Sequence, residues 1–250
     1  MKKVFFALIF GMFFCNLGIA NENLKQYEEE CLSIIDKPKI KLTSSYGKLK
    51  YDFEKDSKSL REETELQYKK QGLEMPKELE TMGLTKINDS FEFNMEVGQV
   101  GVSQGYKCLY PESIDVFMGY YLPRIYIAKD APEGSCVYNI ALRHEQTHMR
   151  IYIEALDFFL PKLKNRMEKS IEEKGVRIVA PNEDAQVIAS IYNEEYTKYL
   201  KDYVDHWRKQ VINEQLKMDS IKQYITESRL CKELEEEAER KKENEDEFDF

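Results

Sequence analysis

The hydrophobic period of this chain changes once, and that change fixes most of what it can fold into. From Cys136 onward the period is helical. Ile140, Ala141, His144, His148, Ile151, Tyr152, Ala155 and Phe159 trace one stripe of a long amphipathic helix. Pro161 is placed to kink it and Gly175 to end it. A second stripe follows Pro181: Ile188, Tyr192, Tyr196, Tyr199, Tyr203, His206 and Gln210. Asn182 is its expected N-cap, with Glu183 and Asp184 in its first turn.

Upstream of Cys136 the period is two. Ile40, Leu42 and Ser44, then Leu49, Tyr51 and Phe53, alternate about Tyr46-Gly47 and read as a hairpin. Phe91, Phe93, Met95 and Val97 alternate again, with Val100 and Val102 continuing past two glycines. Extended segments are expected at 114–118 and 124–128, a polar helix at 60–71 and a short helix or coil at 27–35. The expected class is α+β, a small antiparallel sheet followed by two long packed helices. A shorter helix is expected at 221–230, and the acidic stretch 233–250 has no apolar period and reads as disordered.

Charge and targeting narrow the function. The 250 residues carry a formal charge of −9, so a nucleic-acid partner, which needs clustered Lys and Arg, is not expected. Lys2 and Lys3, the apolar run 4–14 and the small residues Gly18-Ile19-Ala20 form a leader, with cleavage expected after Ala20 and the mature domain spanning 21–232. The 17 uncharged residues from Val4 to Ala20 fall short of the roughly 20 that a span needs, and no other long apolar run follows. The expectation is an exported chain, periplasmic or secreted, with no stable membrane span once the leader is removed. Of five cysteines, Cys15 leaves with the leader. Cys31, Cys108, Cys136 and Cys231 remain, an even set suited to two disulfides in an oxidising compartment. By region, Cys31 is matched with Cys108 and Cys136 with Cys231.

Histidine is scarce, with three copies, and two of them stand four apart in Arg143-His144-Glu145-Gln146-Thr147-His148. His-Glu-x-x-His on a helix puts two imidazoles on one face, one turn apart, where both reach one ion. Zinc takes nitrogen ligands at about 2.0–2.1 Å, and three protein ligands leave a place for water. Glu145, one residue round the helix, is the candidate general base and later proton donor.

A third ligand has several candidates. Glu154 follows His148 by six, but on an unbroken helix it points elsewhere. Glu194 or Glu195 could serve from the second helix. If the two helices form an antiparallel hairpin turning between Gly175 and Pro181, about 39 Å of helix out and about 36 Å back bring His206 level with His148 and leave Glu194 roughly 20 Å short. His206 is therefore the expected ligand, provided 176–179 is not extended. Tyr203, one turn away, is a candidate for stabilising the oxyanion, with packing among its neighbouring tyrosines as the alternative. Residues 124–128 are a candidate edge strand for a peptide, or a plain sheet strand.

Gly134-Ser135-Cys136-Val137-Tyr138 followed by Arg143 to His148 resembles a family of exported bacterial zincin-like proteins predicted to be zinc-dependent proteases. Asp205-His206-Trp207, Met218-Asp219-Ser220, Tyr224 and Cys231 extend the resemblance, which covers roughly Val116 to Cys231. It implies a zincin-like fold and metallopeptidase chemistry on a peptide or protein substrate. The expectation is an exported zinc metallopeptidase with His144, His148 and His206 on the metal. The alternative is a non-enzymatic binding or structural protein whose metal, if any, stabilises the fold.

Overall fold

The computed structural model describes residues 13–77 and 80–246. Residues 1–12, which carry the charged start of the expected leader, lie outside them. The described elements are α1 (Phe13–Ile34), β1 (Lys39–Ser45), β2 (Lys50–Asp52), α2 (Ser57–Lys70), β3 (Gly83–Gly101), β4 (Lys107–Ile127), α3 (Cys136–Lys174), β5 (Arg177–Val179), α4 (Ala185–Met218) and α5 (Ile221–Asp246). A single 3-10 turn at Ser103–Gly105 joins β3 to β4. The class is α+β, as the change of period implied.

The sheet is mixed rather than antiparallel. β4 is its centre, pairing with β1, β2, β3 and β5. β2 runs parallel to β4, with Lys50 opposite Arg124 and Asp52 opposite Tyr126. β5 runs antiparallel to it, with Lys107 opposite Val179. The expected hairpin between β1 and β2 does not form, since each pairs with β4 instead. The reason lies at Gly47, whose φ of +70° turns the chain against β4, so close that a Cβ would lie 2.6 Å from Pro123 Cδ and 2.9 Å from the Tyr120 carbonyl. Residues 124–127 are likewise not an edge, because β4 is bonded to β2 on one side and paired with β3 on the other.

Two compact units divide the chain. Among the described residues, the first comprises 13–43, 92–117 and 162–203. In it α1 lies against β5, Cys31 is bonded to Cys108 with their Cα atoms 5.9 Å apart, and Tyr27 stacks on Tyr106 at 4.3 Å. Leu109, Val179 and Ala185 form its buried core, with Val97 and Ile188 against them. The tyrosine stripe of α4 faces α3 here, since Tyr192 donates to the Gly175 carbonyl at 2.7 Å and Tyr196 to that of Ser170 at 3.2 Å.

The second unit comprises, among the described residues, 44–77, 80–91, 118–161 and 204–246. Leu60 of α2 packs with Leu84, Tyr126, Ala128 and Ala131, while Ile125 and Ile127 meet Ala141 and Met149 of α3. α2 begins as a capped helix, the Asp56 carboxylate accepting from the Ser59 amide at 2.8 Å, and ends before Gly72. Cys136, at the first turn of α3, is bonded to Cys231 of α5, Cα to Cα 5.4 Å. Both cysteine pairs are thus those matched by region.

Two segments differ from the sequence reading. α4 starts at Ala185 with Asp184 as its cap, accepting from the Gln186 amide at 2.8 Å, rather than at Asn182, because β5 and the following turn use those residues. The stretch 233–246, read as disordered, continues α5, with Arg229–Glu233 and Lys232–Glu236 pairs at the i, i+4 spacing that supports an exposed helix.

Candidate metal centre

The site lies within the second unit, on the face of α3 that carries His144 and His148. One helical turn apart, their Nε2 atoms stand 2.9 Å from each other. Asp219 Oδ1, in the turn between α4 and α5, completes a triangle: 2.9 Å from His148 Nε2 and 3.2 Å from His144 Nε2. A carboxylate oxygen of Glu145 lies within 4.8 Å of a ligating nitrogen on each imidazole. His148 and Glu145 are buried, at 7% and 5% exposure, which is costly for such groups unless something charged holds them together.

Neighbours stand on the far side of both rings. The Gln215 side-chain carbonyl is hydrogen-bonded to His148 Nδ1, while its amide donates to the His148 backbone carbonyl at 3.1 Å. Glu227 Oε2 of α5 lies 3.3 Å from His144 Nδ1, at ion-pair distance though off the hydrogen-bonding line. With Nδ1 of His148 protonated toward Gln215, its Nε2 lone pair faces His144 and Asp219. Partners of this kind are what metal-ligating histidines ordinarily have.

The donor set fits a metal. Three ligands at about 2.0–2.1 Å in a tetrahedron stand about 3.3 Å apart, close to the triangle found here. Two nitrogens and a carboxylate oxygen are ligands that zinc accepts. Without an ion, protons must hold the same three groups together. Burial pulls the His148 imidazole down, but its bond to Asp219 and the charges of Glu145 and Asp219 outweigh this and lift it to about 9. Burial raises the Asp219 carboxyl, yet its two histidine partners bring it to about 2. Burial also drives Glu145 above the ordinary carboxylate range, against the pull of both imidazoles.

Glu145 is held by its surroundings. Thr85 donates to its backbone carbonyl at 2.9 Å, and Gly83 opens the space for its side chain. A Cβ on Gly83 would lie 2.5 Å from Glu145 Cγ and 2.7 Å from Oε1. A cavity of about 470 Å³ opens on the four site residues. Its walls include Tyr68 from α2, Met82 to Thr85 at the start of β3, Ile140 from α3 and Leu216 from α4.

The remaining expected residues are elsewhere. His206 is exposed, and its Nε2 accepts from the Gln210 amide at 3.1 Å. The hairpin register explains this: His148 meets Gln215, nine residues beyond His206, because 177–179 is extended as β5. Tyr203 belongs to the first unit, under the Arg166 guanidinium at 5.3 Å. Glu154 is exposed, and Glu195 is paired with Arg177 at 2.6 Å. Asp219, Gln215 and Glu227 were missed as site residues. A signal for the first existed in the break Met218-Asp219-Ser220 between two helical stretches.

Compared with known proteins, the chain matches no family model, no curated sequence and no solved structure.

Proposed function

We propose that the chain is an exported zinc-dependent metallopeptidase whose metal is held by His144, His148 and Asp219, with Glu145 as general base. The observation that carries this reading is the convergence of two imidazole nitrogens and one carboxylate oxygen within 3.2 Å, on a cavity wall that also bears a buried glutamate. The fold around it is read as zincin-like, and the resemblance carried by 134–148 agrees with that reading. Two cysteine pairs at bonding distance suit an exported chain, and no described helix is long and apolar enough to cross a membrane.

When bound, zinc would supply a Lewis acid and lower the pKa of a coordinated water. The chain's own groups do the rest. Glu145 takes the proton of the attacking water and returns it to the leaving amine, a role suited by the burial that raises its proton affinity above that of an ordinary carboxylate. Gln215 keeps the His148 ring aimed inward, and the Glu227 carboxylate stands 3.3 Å behind the His144 ring at Nδ1. β3 is paired with β4 alone among the described strands, and its first residues line the cavity, so an extended peptide is read as lying along residues 83–87.

The test is zinc content of the purified protein together with hydrolysis by Glu145→Gln. The proposal expects about one zinc per chain in both proteins and loss of peptide cleavage in the variant alone. A metal that only stabilises the fold predicts instead that neither protein cleaves peptides.

A further inference from the structure

We propose that Tyr68 is a catalytic residue of this site, donating a hydrogen bond from its phenol to the scissile carbonyl oxygen as that oxygen gains charge. The inference rests on the peptidase reading above and adds to it the group that opposes the metal across the substrate.

Hydrolysis of an amide puts negative charge on the former carbonyl oxygen, and a donor already aimed at that position lowers the barrier. Several groups around the cavity can donate, among them Gln67 and Gln71 of α2, while the Thr64 and Thr85 hydroxyls are given to the Leu60 and Glu145 carbonyls. Tyr203, the expected donor, does not line it. Lys232 lines it, but is largely exposed and lies 3.9 Å from Glu236. Thr81 also lines it, with an unpartnered Oγ1 buried in the wall on a side chain much shorter than a phenol. Tyr152 follows His148 by one turn, and its ring is edge-on against Tyr120 at 5.4 Å.

Tyr68 stands apart by its place in the fold. It comes from α2, a different element from the metal-binding helix, and it lines the same cavity as His144, Glu145, His148 and Asp219. The residue is 8% exposed, yet no hydrogen bond of its hydroxyl is found among the described residues. Three other buried phenols donate to backbone carbonyls, Tyr120 to Tyr152 at 2.9 Å, Tyr192 to Gly175 and Tyr196 to Ser170. A phenol that lines the cavity, with no acceptor for its hydroxyl among the described residues, is free to serve a ligand. Burial and the nearby Asp219 charge hold this phenol at about 12, so at neutral pH it keeps its proton to donate. The proton stays on Tyr68 throughout; only the hydrogen bond strengthens.

The experiment compares full-length, zinc-loaded wild type and Tyr68→Phe, which keeps the ring and its packing. The substrate is a fluorogenic peptide built on a bond that wild type cleaves in casein. The second readout is calorimetric binding of a phosphinic peptide of the same sequence, whose tetrahedral oxyanion mimics the charged state. The expected result is a kcat lower by about 10²–10³-fold with KM nearly unchanged, phosphinate binding at least about 10-fold weaker, and equal zinc content. Unchanged kcat and phosphinate binding in the variant of an active enzyme would overturn the role of Tyr68 and leave the peptidase reading standing. Zinc lost in step with activity would also overturn it, assigning Tyr68 to holding the site. Wild type that binds zinc yet cleaves no peptide would overturn both.

Discussion

Gly83 and Glu145 share one space: a Cβ on the glycine would come within 2.5 Å of Glu145 Cγ and 3.0 Å of its carboxyl carbon. The first residue of β3 therefore sets where the candidate base stands. Gly83→Ala should push the carboxylate aside while leaving both imidazoles and Asp219 in place. A displacement of about 1 Å at a reacting group can cost about 10²-fold. The expected outcome is zinc content as in wild type with kcat down about 10–100-fold. Zinc content and turnover measured on one preparation check it, and full activity would show that Glu145 has room the geometry denies.

Asp219 and His206 should respond in opposite ways. Asp219→Ala removes one corner of the triangle and leaves two imidazoles, which rarely retain zinc against a competing chelator. His206→Ala alters an exposed residue whose contact is Gln210. The first variant should lose more zinc affinity than the about 10–100-fold that outer partners cost, and the second should bind as wild type does. Titration against a chromophoric chelator ranks the three proteins, and the reverse order would restore the longer hairpin register.

Gln215→Leu and Glu227→Gln test the outer partners. Each leaves the three ligands intact but frees one ring to turn or to change tautomer. Metal affinity should fall about 10–100-fold in each, with the fold retained. The same chelator titration, paired with circular dichroism, separates a loosened ring from an unfolded chain.

The metal-free protein should be most stable at intermediate pH. The Asp219 carboxyl is depressed to about 2 in the folded chain, so its contribution is present above the ordinary carboxylate value of about 3.8 and is lost as pH falls through 2. The His148 imidazole is raised to about 9, so its contribution is full below 6.5 and is lost as pH rises through 9. Urea midpoints of the stripped protein should therefore decline in both windows. Zinc binding near neutral pH should release protons, measurable by calorimetry in buffers of different ionisation enthalpy. No release at pH 7 would mean that His148 is already neutral before the ion arrives.

What could be read from the sequence depended on distance along the chain. His144, Glu145 and His148 lie within one helical turn and a fraction, so helix geometry alone brings the two rings together, as the structure has them. Helices α2 and α3 were legible because Gly72, Gly175 and the apolar stripe mark their limits. The third corner was not, because it depended on the register between α3 and α4. Three extended residues, Arg177 to Val179, consume chain without following the helical rise and carry His206 away from His148. Sheet order escaped for a related reason: Gly47 reads as a hairpin turn by residue type, and its close approach to Tyr120 and Pro123 exists only once β4 is in place. Extension of α5 past Glu233 rests on ion pairs rather than on an apolar stripe, so the hydrophobic period was blind to it.

Cys136 and Cys231 bind the first turn of α3 to the helix that carries Glu227. Replacing both by serine should lower stability by about 2–4 kcal/mol and weaken zinc retention, since Glu227 is then held by fewer constraints. Denaturant midpoints and chelator competition measure the two effects. Unchanged zinc affinity alongside lost stability would confine the bond to a purely structural role.

His148 and Asp219 are separated by 71 residues of chain, and Asp219 comes last. At a synthesis rate of about 5–20 residues per second, both imidazoles and Glu145 exist for roughly 4 to 14 seconds before the carboxylate that closes the triangle has been made. A nascent chain therefore carries both imidazoles and Glu145 before the third corner of the triangle exists. A copy clipped anywhere between 149 and 218 cannot contribute Asp219 from the same polypeptide, however well its first half folds. Closure of the triangle therefore waits on the synthesis of Asp219, however early the three residues of α3 are in place.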